Sequence, residues 1–151
     1  NFLQEDNTGV ITIMTSNDVF ELPPELMRSG RLDAQWYFGF PDTDERREIL
    51  NIYLEKSNLQ ITENIFNYII RTTRNYSGAE IKEIVKNLLV KSYFRQLQEG
   101  KTPEREITVD DAKQAIASIV PIYQSSKEKI DVFTEMAKGR YRNASVGKGV
   151  A

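Results

Sequence analysis

The residues with the clearest chemical potential lie near the start of the sequence, where polar and basic side chains follow a short apolar run. Asn17 comes just after the run at residues 10–15, and Arg28 and Arg31 flank Gly30. An amide side chain can both donate and accept hydrogen bonds. A guanidinium group offers a planar fork of N–H donors that suits oxyanions. Each of these residues, taken alone, is also compatible with a turn at a strand end and with solvated surface charges.

Composition narrows the chemistry that such residues can support. The chain has 151 residues, of which 40% are hydrophobic and 28% charged, as in ordinary globular proteins. It contains neither cysteine nor histidine, which excludes disulfides, thiolate chemistry and serine–histidine triads. A net charge of −2 argues against nonspecific nucleic-acid binding through bulk charge. No apolar run approaches the ~20 residues of a membrane helix, so we expect a cytoplasmic protein that makes no membrane contact.

Two short strands are predicted before Pro41. Residues 10–15 are β-branched and nearly all apolar, which is typical of a buried parallel strand, and the aromatic-rich residues 35–40 predict a second strand. A short helix entered through prolines is predicted between them, at residues 22–28. Because two strands do not form an independent sheet, residues 1–40 are expected to be the end of a larger α/β domain.

After Pro41 the pattern becomes helical. Apolar residues recur at intervals of three and four, and polar residues typical of helix caps precede each segment. These predicted helix starts are Asp42, Thr62, Ser77, Thr108 and the pair Ser125-Ser126. The sequence therefore predicts a small all-α bundle over residues 41–120, followed by a C-terminal helix and a flexible tail over residues 121–151. The fold class predicted for the whole chain is an α/β remnant followed by a helical bundle, and mostly helical.

The motifs of the first forty residues, in their order and spacing, resemble the AAA family of ATPases. In that family a strand ends in Thr-Asn, called sensor 1, and is followed by a short helix and by Arg-x-Gly-Arg-x-Asp. Asn17 matches the sensor-1 asparagine, with Ser16 where the family usually has threonine. Arg28 and Arg31 match the paired arginine fingers.

The resemblance continues into the helical region and covers roughly residues 1–120. Residues 77–81, Ser-Gly-Ala-Glu-Ile, match the motif of the helical lid that covers the nucleotide in this family. Other matches are the Phe-Pro boundary at residues 40–41 and the Glu-Arg-x-x-Ile-Leu helix at residues 45–50. Residues 2–5 and 136–145 resemble the subgroup encoded by a conserved reading frame of cyanobacteria, their phages and algal plastids.

This resemblance implies a ring-forming ATPase that couples ATP binding and hydrolysis, with Mg²⁺, to the remodelling of a macromolecular partner. It implies that Asn17 orients the attacking water or contacts the γ-phosphate. It also implies that Arg28 and Arg31 reach the nucleotide of a neighbouring subunit in a homo-oligomeric ring. By the same resemblance, the backbone of Gly78 and Ala79 lies against the adenine and ribose.

Two departures from the family pattern matter. Tyr53 occupies the position where many relatives carry a ribose-contacting histidine, and we expect it to be a core residue. The sequence contains no G-x-x-x-x-G-K-[ST] loop, and no apolar strand ends in Asp-Glu. The pair Asp110-Asp111 lies in a helix-capping context, so no metal site is predicted. The chain is therefore expected to be a C-terminal fragment that does not hydrolyse ATP alone, with ATP and Mg²⁺ bound mainly by the missing N-terminal part.

Two other functions stay open at this level. The chain could be a non-catalytic helical module that binds protein partners. From Lys127 onward six basic residues stand against three acidic ones, a net charge of 6 − 3 = +3, so this tail could also bind nucleic acid. A tail of this composition is more often simply solvated.

Overall fold

The computed structural model describes residues 10–18, 20–27, 32–102 and 106–145, and helices account for most of the regular structure. A 3₁₀ helix at Pro24–Met27 and the strand β1 at Trp36–Tyr37 come first. The helices that follow are α1 (Thr43–Lys56), α2 (Glu63–Thr72), α3 (Gly78–Gln98), α4 (Val109–Ala117), α5 (Ile122–Ser125) and α6 (Lys127–Ala137). A strand β2 at Arg142–Asn143 closes this order. No helix of the described residues is long and apolar enough to cross a membrane.

Helices α1 to α4 pack around one aliphatic core, and we call these four helices the lid bundle after the family motif that residues 77–81 resemble. The long helix α3 lies at its centre and contacts both α1 and α4. The apolar residues predicted for one face of α3 are those that point inward, and Ile84 and Leu88 are fully buried. Leu50 of α1 and Ile69 of α2 are fully buried against them. The prediction that the chain is mostly helical is thus confirmed.

The predicted capping signals of the lid bundle form as hydrogen bonds. Asp42, Ser77 and Thr108 each accept a bond from the backbone three residues later, and an acidic side chain at that position bonds back to the cap. Thr62 caps α2 by accepting from the amide of Ile65. Since the partners lie within three residues of each other, the local sequence is sufficient to start these helices.

The strand predicted at residues 10–15 is wrong. These residues have no regular secondary structure, and Ile11 and Ile13 are 89% and 85% exposed. A strand requires a neighbouring strand for its backbone hydrogen bonds, and in the part of the chain that the structure describes no segment pairs with residues 10–15. Of the described part of the helix predicted at residues 22–28, only Pro24–Met27 form a helix, and it is a 3₁₀ helix.

The second predicted strand is shorter than expected and has a distant partner. Only Trp36–Tyr37 is extended, and it pairs in parallel with Arg142–Asn143. The amide of Arg142 donates to the carbonyl of Gln35 at 3.0 Å, and the amide of Ala144 donates to that of Tyr37 at 3.0 Å. The end of the chain, where a flexible tail is expected, is therefore held by backbone bonds at residues 142–144, while residues 146–151 lie outside the described residues.

Helix α6 packs through aromatic rings against Phe20 and Tyr37, which precede α1 in the chain. The ring of Phe133 lies 6.0 Å from Phe20, 5.3 Å from Tyr37 and 6.5 Å from Tyr141, measured between centroids. We call these four residues the aromatic cluster. All three pairs meet edge to face, which is a favourable geometry for aromatic rings.

Candidate functional site

The first turn of α3 contains Gly78 and Ala79, the residues predicted to face a nucleotide. The capping box fixes this turn, because the Oε2 atom of Glu80 accepts from the Ser77 amide at 2.6 Å and from its hydroxyl at 2.8 Å. The second oxygen of the same carboxylate accepts from the amide of Ile122 at 2.6 Å. Glu80 therefore joins the start of α3 to the start of α5. Ala79 is exposed and Gly78 half-buried.

Neither backbone strain nor lack of space requires a glycine at position 78. Its φ lies outside the left-handed region that favours glycine. A Cβ atom placed there would meet one atom within 4 Å, the Cδ1 of Ile49 at 3.6 Å, which is an ordinary van der Waals distance. Packing of α1 against α3 thus brings Ile49 next to Gly78. The described surroundings would accept alanine here.

Tyr53 lies one helical turn after Ile49 on α1. It is half-buried and packs against the core of the lid bundle, which agrees with its expected role. The ammonium group of Lys56 lies 5.7 Å from the centre of its ring. Two residues of α1, Ile49 and Tyr53, therefore pack against the core. Gly78, at the start of α3, lies next to Ile49.

Arg46 is a residue whose role sequence reasoning missed. It is 7% exposed, and its guanidinium group donates to the carbonyl oxygens of Pro41 at 3.0 Å and Ile70 at 3.4 Å. Burial lowers the pKa of Arg46, and nearby Asp42 opposes this effect. Arg46 thus connects the Phe40-Pro41 boundary to the end of α2. A signal was available, because Arg46 stands four residues before Leu50 on the buried face of α1.

The structure places Asn17 in an exposed bend. The carboxylate of the next residue, Asp18, forms an ion pair with the ammonium group of Lys129 on α6. The hydrogen bond from Lys129 is the main cause that lowers the pKa of Asp18. Within the described residues no hydrogen bond joins Asn17 to the start of α3. The predicted arginine fingers, Arg28 and Arg31, lie outside the described residues.

A cavity of about 310 Å³ lies between the loop before α3 and the region around α6. Asn75, in this loop, has a φ of 63° and lines the cavity. The rings of Phe40 and Tyr123 meet edge to face at 5.7 Å on its wall. The cavity wall also contains Asp131, whose carboxylate accepts from the Tyr123 hydroxyl at 3.0 Å. Across the described ranges, no group of three or more acidic side chains could hold a metal ion.

Comparisons with known proteins decide the family. No family model matches the sequence. The uncharacterized AAA domain-containing protein ycf46 of Guillardia theta is 30% identical over 146 residues, which is 95% of this chain. The vesicle-fusing ATPase of Dictyostelium discoideum is 29% identical over 142 residues, or 87% of this chain. The chain belongs to the AAA ATPase family.

The solved structures agree with this family at the level of the fold. The AAA domain of FIGL-1, solved in complex with ADP, matches 74% of this chain and 39% of its own with a TM-score of 0.56 and 19% identity. This AAA chain spans 27% of the length of the Guillardia protein and 19% of that of the Dictyostelium protein. The predicted resemblance to the C-terminal part of AAA ATPases, and to the subgroup of the conserved reading frame, is confirmed.

Proposed function

We propose that this AAA chain supplies sensor 1, the arginine fingers and the nucleotide-covering lid of a ring-forming ATPase. The parent ATPase couples ATP binding and hydrolysis to the remodelling of a macromolecular partner. The phosphates and Mg²⁺ are held by residues outside this sequence, since it contains no phosphate-binding loop. The 151-residue chain alone is therefore inactive.

The observation that carries the proposal is the first turn of α3. The described structure has space for a larger residue at position 78, and the apolar side chain of Ile49 lies beside it. The capping box engages the amides of Ser77 and Glu80, and within the described residues those of Gly78 and Ala79 have no partner. An adenine ring packed against Gly78 explains the glycine, and the free amides offer donors for polar atoms of the nucleotide.

The other proposed residues act on the reacting phosphate. Hydrolysis transfers the γ-phosphoryl group of ATP to water, and its catalysis depends mainly on positioning and on stabilising negative charge. The side-chain amide of Asn17 orients the attacking water or contacts the γ-phosphate. Arg28 and Arg31 donate N–H groups to the charge that develops in the site of a neighbouring subunit.

The adenine contact is tested by substituting Gly78 in the parent ATPase. Gly78→Leu places a large side chain where the base packs, so we expect affinity for a fluorescent ATP analogue to fall about tenfold or more, ~1.4 kcal/mol. Gly78→Ala is the graded comparison: within the protein its Cβ meets only Ile49, so it should fold like the parent and lose less affinity than Gly78→Leu. Thermal melts establish that both variants fold. Unchanged affinity in a folded Gly78→Leu protein would contradict the contact.

The arginine fingers are tested by turnover. Arg28→Ala and Arg31→Ala should depress ATP hydrolysis and leave nucleotide binding largely intact. Arginine fingers contribute about 10³–10⁵ in rate in related phosphoryl-transfer systems. Arg71→Ala, which removes an exposed arginine of α2, is the control and should hydrolyse ATP at the parent rate. If both finger variants matched that rate, we would abandon the assignment.

One observation favours the alternative, a non-catalytic helical interaction module. Four large apolar side chains spaced as one stripe on α3 are between 42% and 58% exposed, namely Val90, Tyr93, Phe94 and Leu97. If this alternative holds, the Gly78 and arginine variants leave nucleotide binding and turnover unchanged. Binding of nucleic acid by the basic tail is less favoured, because Lys129 and Lys138 already form ion pairs with Asp18 and Glu135.

A further inference from the structure

We infer that α6 and β2, which we call the C-terminal clamp, position two segments, one that carries Asn17 and one that follows the proposed arginine fingers in the sequence. One segment is the turn that contains Asn17, and the other is β1, whose first residue follows Arg31 by five positions. The inference rests on the proposed function, because it assigns a role in catalysis to contacts outside the nucleotide-binding lid. Lys129 and Phe133 are the positioning residues.

The first contact of the clamp holds the turn next to Asn17. Lys129 forms an ion pair with the carboxylate of Asp18, the residue directly after Asn17. The same carboxylate accepts from the amide of Phe20 at 3.0 Å. The hydroxyl of Ser16 donates to the carbonyl of Asp18 at 2.8 Å and accepts from its amide at 3.2 Å. The turn is therefore organised around Asp18, and Lys129 attaches it to α6.

The second contact holds the strand that follows the arginine fingers. Two backbone hydrogen bonds, each 3.0 Å long, join β2 to β1 and its flanks. The ring of Phe133 meets that of Tyr37 edge to face at 5.3 Å. The hydroxyl groups of Tyr37 and Thr134 form a hydrogen bond of 2.9 Å. Strand β1 is therefore fixed to the clamp by its backbone and by its side chains.

One helix connects the two contacts. Lys129 and Phe133 are four residues apart, so they lie on the same face of α6, one turn from each other. Phe133 contacts Phe20 in the first segment as well as Tyr37 in the second. A shift of α6 would therefore displace both segments together, although Arg28 and Arg31 stand between them in the sequence.

This geometry predicts an effect on the chemical step rather than on nucleotide binding. A displacement of about 1 Å at a catalytic group can cost about 10²-fold in rate. The proposed adenine contacts come from α1 and α3, which the clamp residues Lys129 and Phe133 do not touch in the described contacts. Loosening the clamp should therefore lower kcat and leave KM for ATP nearly unchanged.

The ion pair allows a charge-swap experiment in the parent ATPase. We expect Lys129→Glu to lower kcat by about tenfold or more, with KM for ATP within about twofold. The double variant Lys129→Glu/Asp18→Lys restores an ion pair but not the acceptor for the Phe20 amide, so it should recover only part of kcat. Lys127→Glu makes the same charge change at an exposed position of the same helix and should keep the parent rate. Loss of kcat without recovery in the swap would overturn the role of this pair.

Hydrogen exchange tests the clamp without any activity assay. In Phe133→Ala the amides of residues 16–20 and 35–37 should exchange faster together, while those of α3 keep the parent rate. Phe133→Leu, which keeps an apolar side chain, should show a smaller effect. Unchanged exchange in both segments, or faster exchange in only one of them, would overturn the inference.

The two proposals fail in different ways. If Arg28→Ala and Arg31→Ala keep the parent turnover, the proposed function fails. If those variants lose turnover while Lys129→Glu keeps its kcat, the clamp inference alone is wrong.

Discussion

The lid bundle and the region around α6 are both helical, yet they are stabilised by different kinds of contact. In the lid bundle, Leu50, Ile69, Ile84 and Leu88 are fully buried in one aliphatic core. In α6 only Ala137 is buried, and the large apolar residues Ile130, Phe133 and Met136 are half-buried. The lid bundle thus contains a core of its own, whereas α6 depends on segments that are distant in the sequence.

The helix starts show the same difference. All four helices of the lid bundle begin at a residue whose side chain caps the backbone. Neither Pro121 before α5 nor Ser126 before α6 makes a side-chain cap. Local capping signals therefore determine where the helices of the lid bundle start, whereas long-range packing determines the structure around α6. Substitutions should separate the two regions in solution.

The largest expected difference in stability is between a substitution in the core of the lid bundle and a substitution in the contacts of α6. Ile84→Ala empties a fully buried position and should lower the free energy of unfolding of the lid bundle by about 2–5 kcal/mol. Phe133→Ala removes a half-buried ring and should cost about 1 kcal/mol, confined to the region around α6. Urea titrations of the 151-residue chain resolve this, because Trp36, the single tryptophan, reports on β1 and far-UV circular dichroism reports mainly on the helices. Equal shifts of both signals in Phe133→Ala would contradict two separable regions.

The ion pair between the buried Asp111 and the partly exposed Arg95 should make the stability of the lid bundle depend on pH. Asp111 is 1% exposed, and burial raises the pKa of its carboxyl group. Hydrogen bonds from Arg95 at 3.0 Å and from the amide of Thr108 at 2.8 Å outweigh burial, so the folded-state pKa is lowered. The carboxylate therefore stabilises the fold at pH values above its unfolded pKa of about 3.9, and this contribution is lost as the pH falls through the lower folded value.

Asp111→Asn tests that dependence. At pH 7 it should lower the free energy of unfolding by about 1.5–3 kcal/mol, the typical contribution of hydrogen bonds to a charged group. Below pH ~4 the difference from the parent should shrink, since the unfolded parent chain then takes up a proton at Asp111 before the folded protein does. Asp110→Asn alters an exposed neighbour in the same turn and should change stability by less than about 0.5 kcal/mol. A difference that stays constant from pH 7 to pH 3 would contradict the assignment.

The smallest expected effect compares two serines that precede helices. Ser77→Ala removes the cap of α3 and should cost about 0.5–2 kcal/mol. Ser126→Ala removes a hydroxyl that makes no capping bond, so stability should change by less than about 0.5 kcal/mol. Thermal unfolding of both variants measures the contrast. Equal losses would mean that the cap of α3 contributes nothing beyond a generic serine.

Part of the candidate site could be predicted from the sequence. The part that could not be predicted depends on how the helices pack. The first turn of α3 was predictable, because Ser77 and Glu80 are partners three residues apart. The contact between Ile49 and Gly78 was not, since it depends on how α1 packs against α3. The resemblance to AAA ATPases placed Asn17, Arg28 and Arg31, and their roles stay predictions.

The sequence by itself determined where the lid helices begin and which faces they bury, because caps and helical periodicity act between residues that are close in the chain. Only the tertiary structure decided the fate of the two predicted strands. Residues 10–15 lack a neighbouring strand in the described chain, whereas residues 36–37 find theirs at residues 142–143, beyond all six helices. Strand pairing satisfies backbone hydrogen bonds across any sequence distance, so local pattern alone does not reveal the partner.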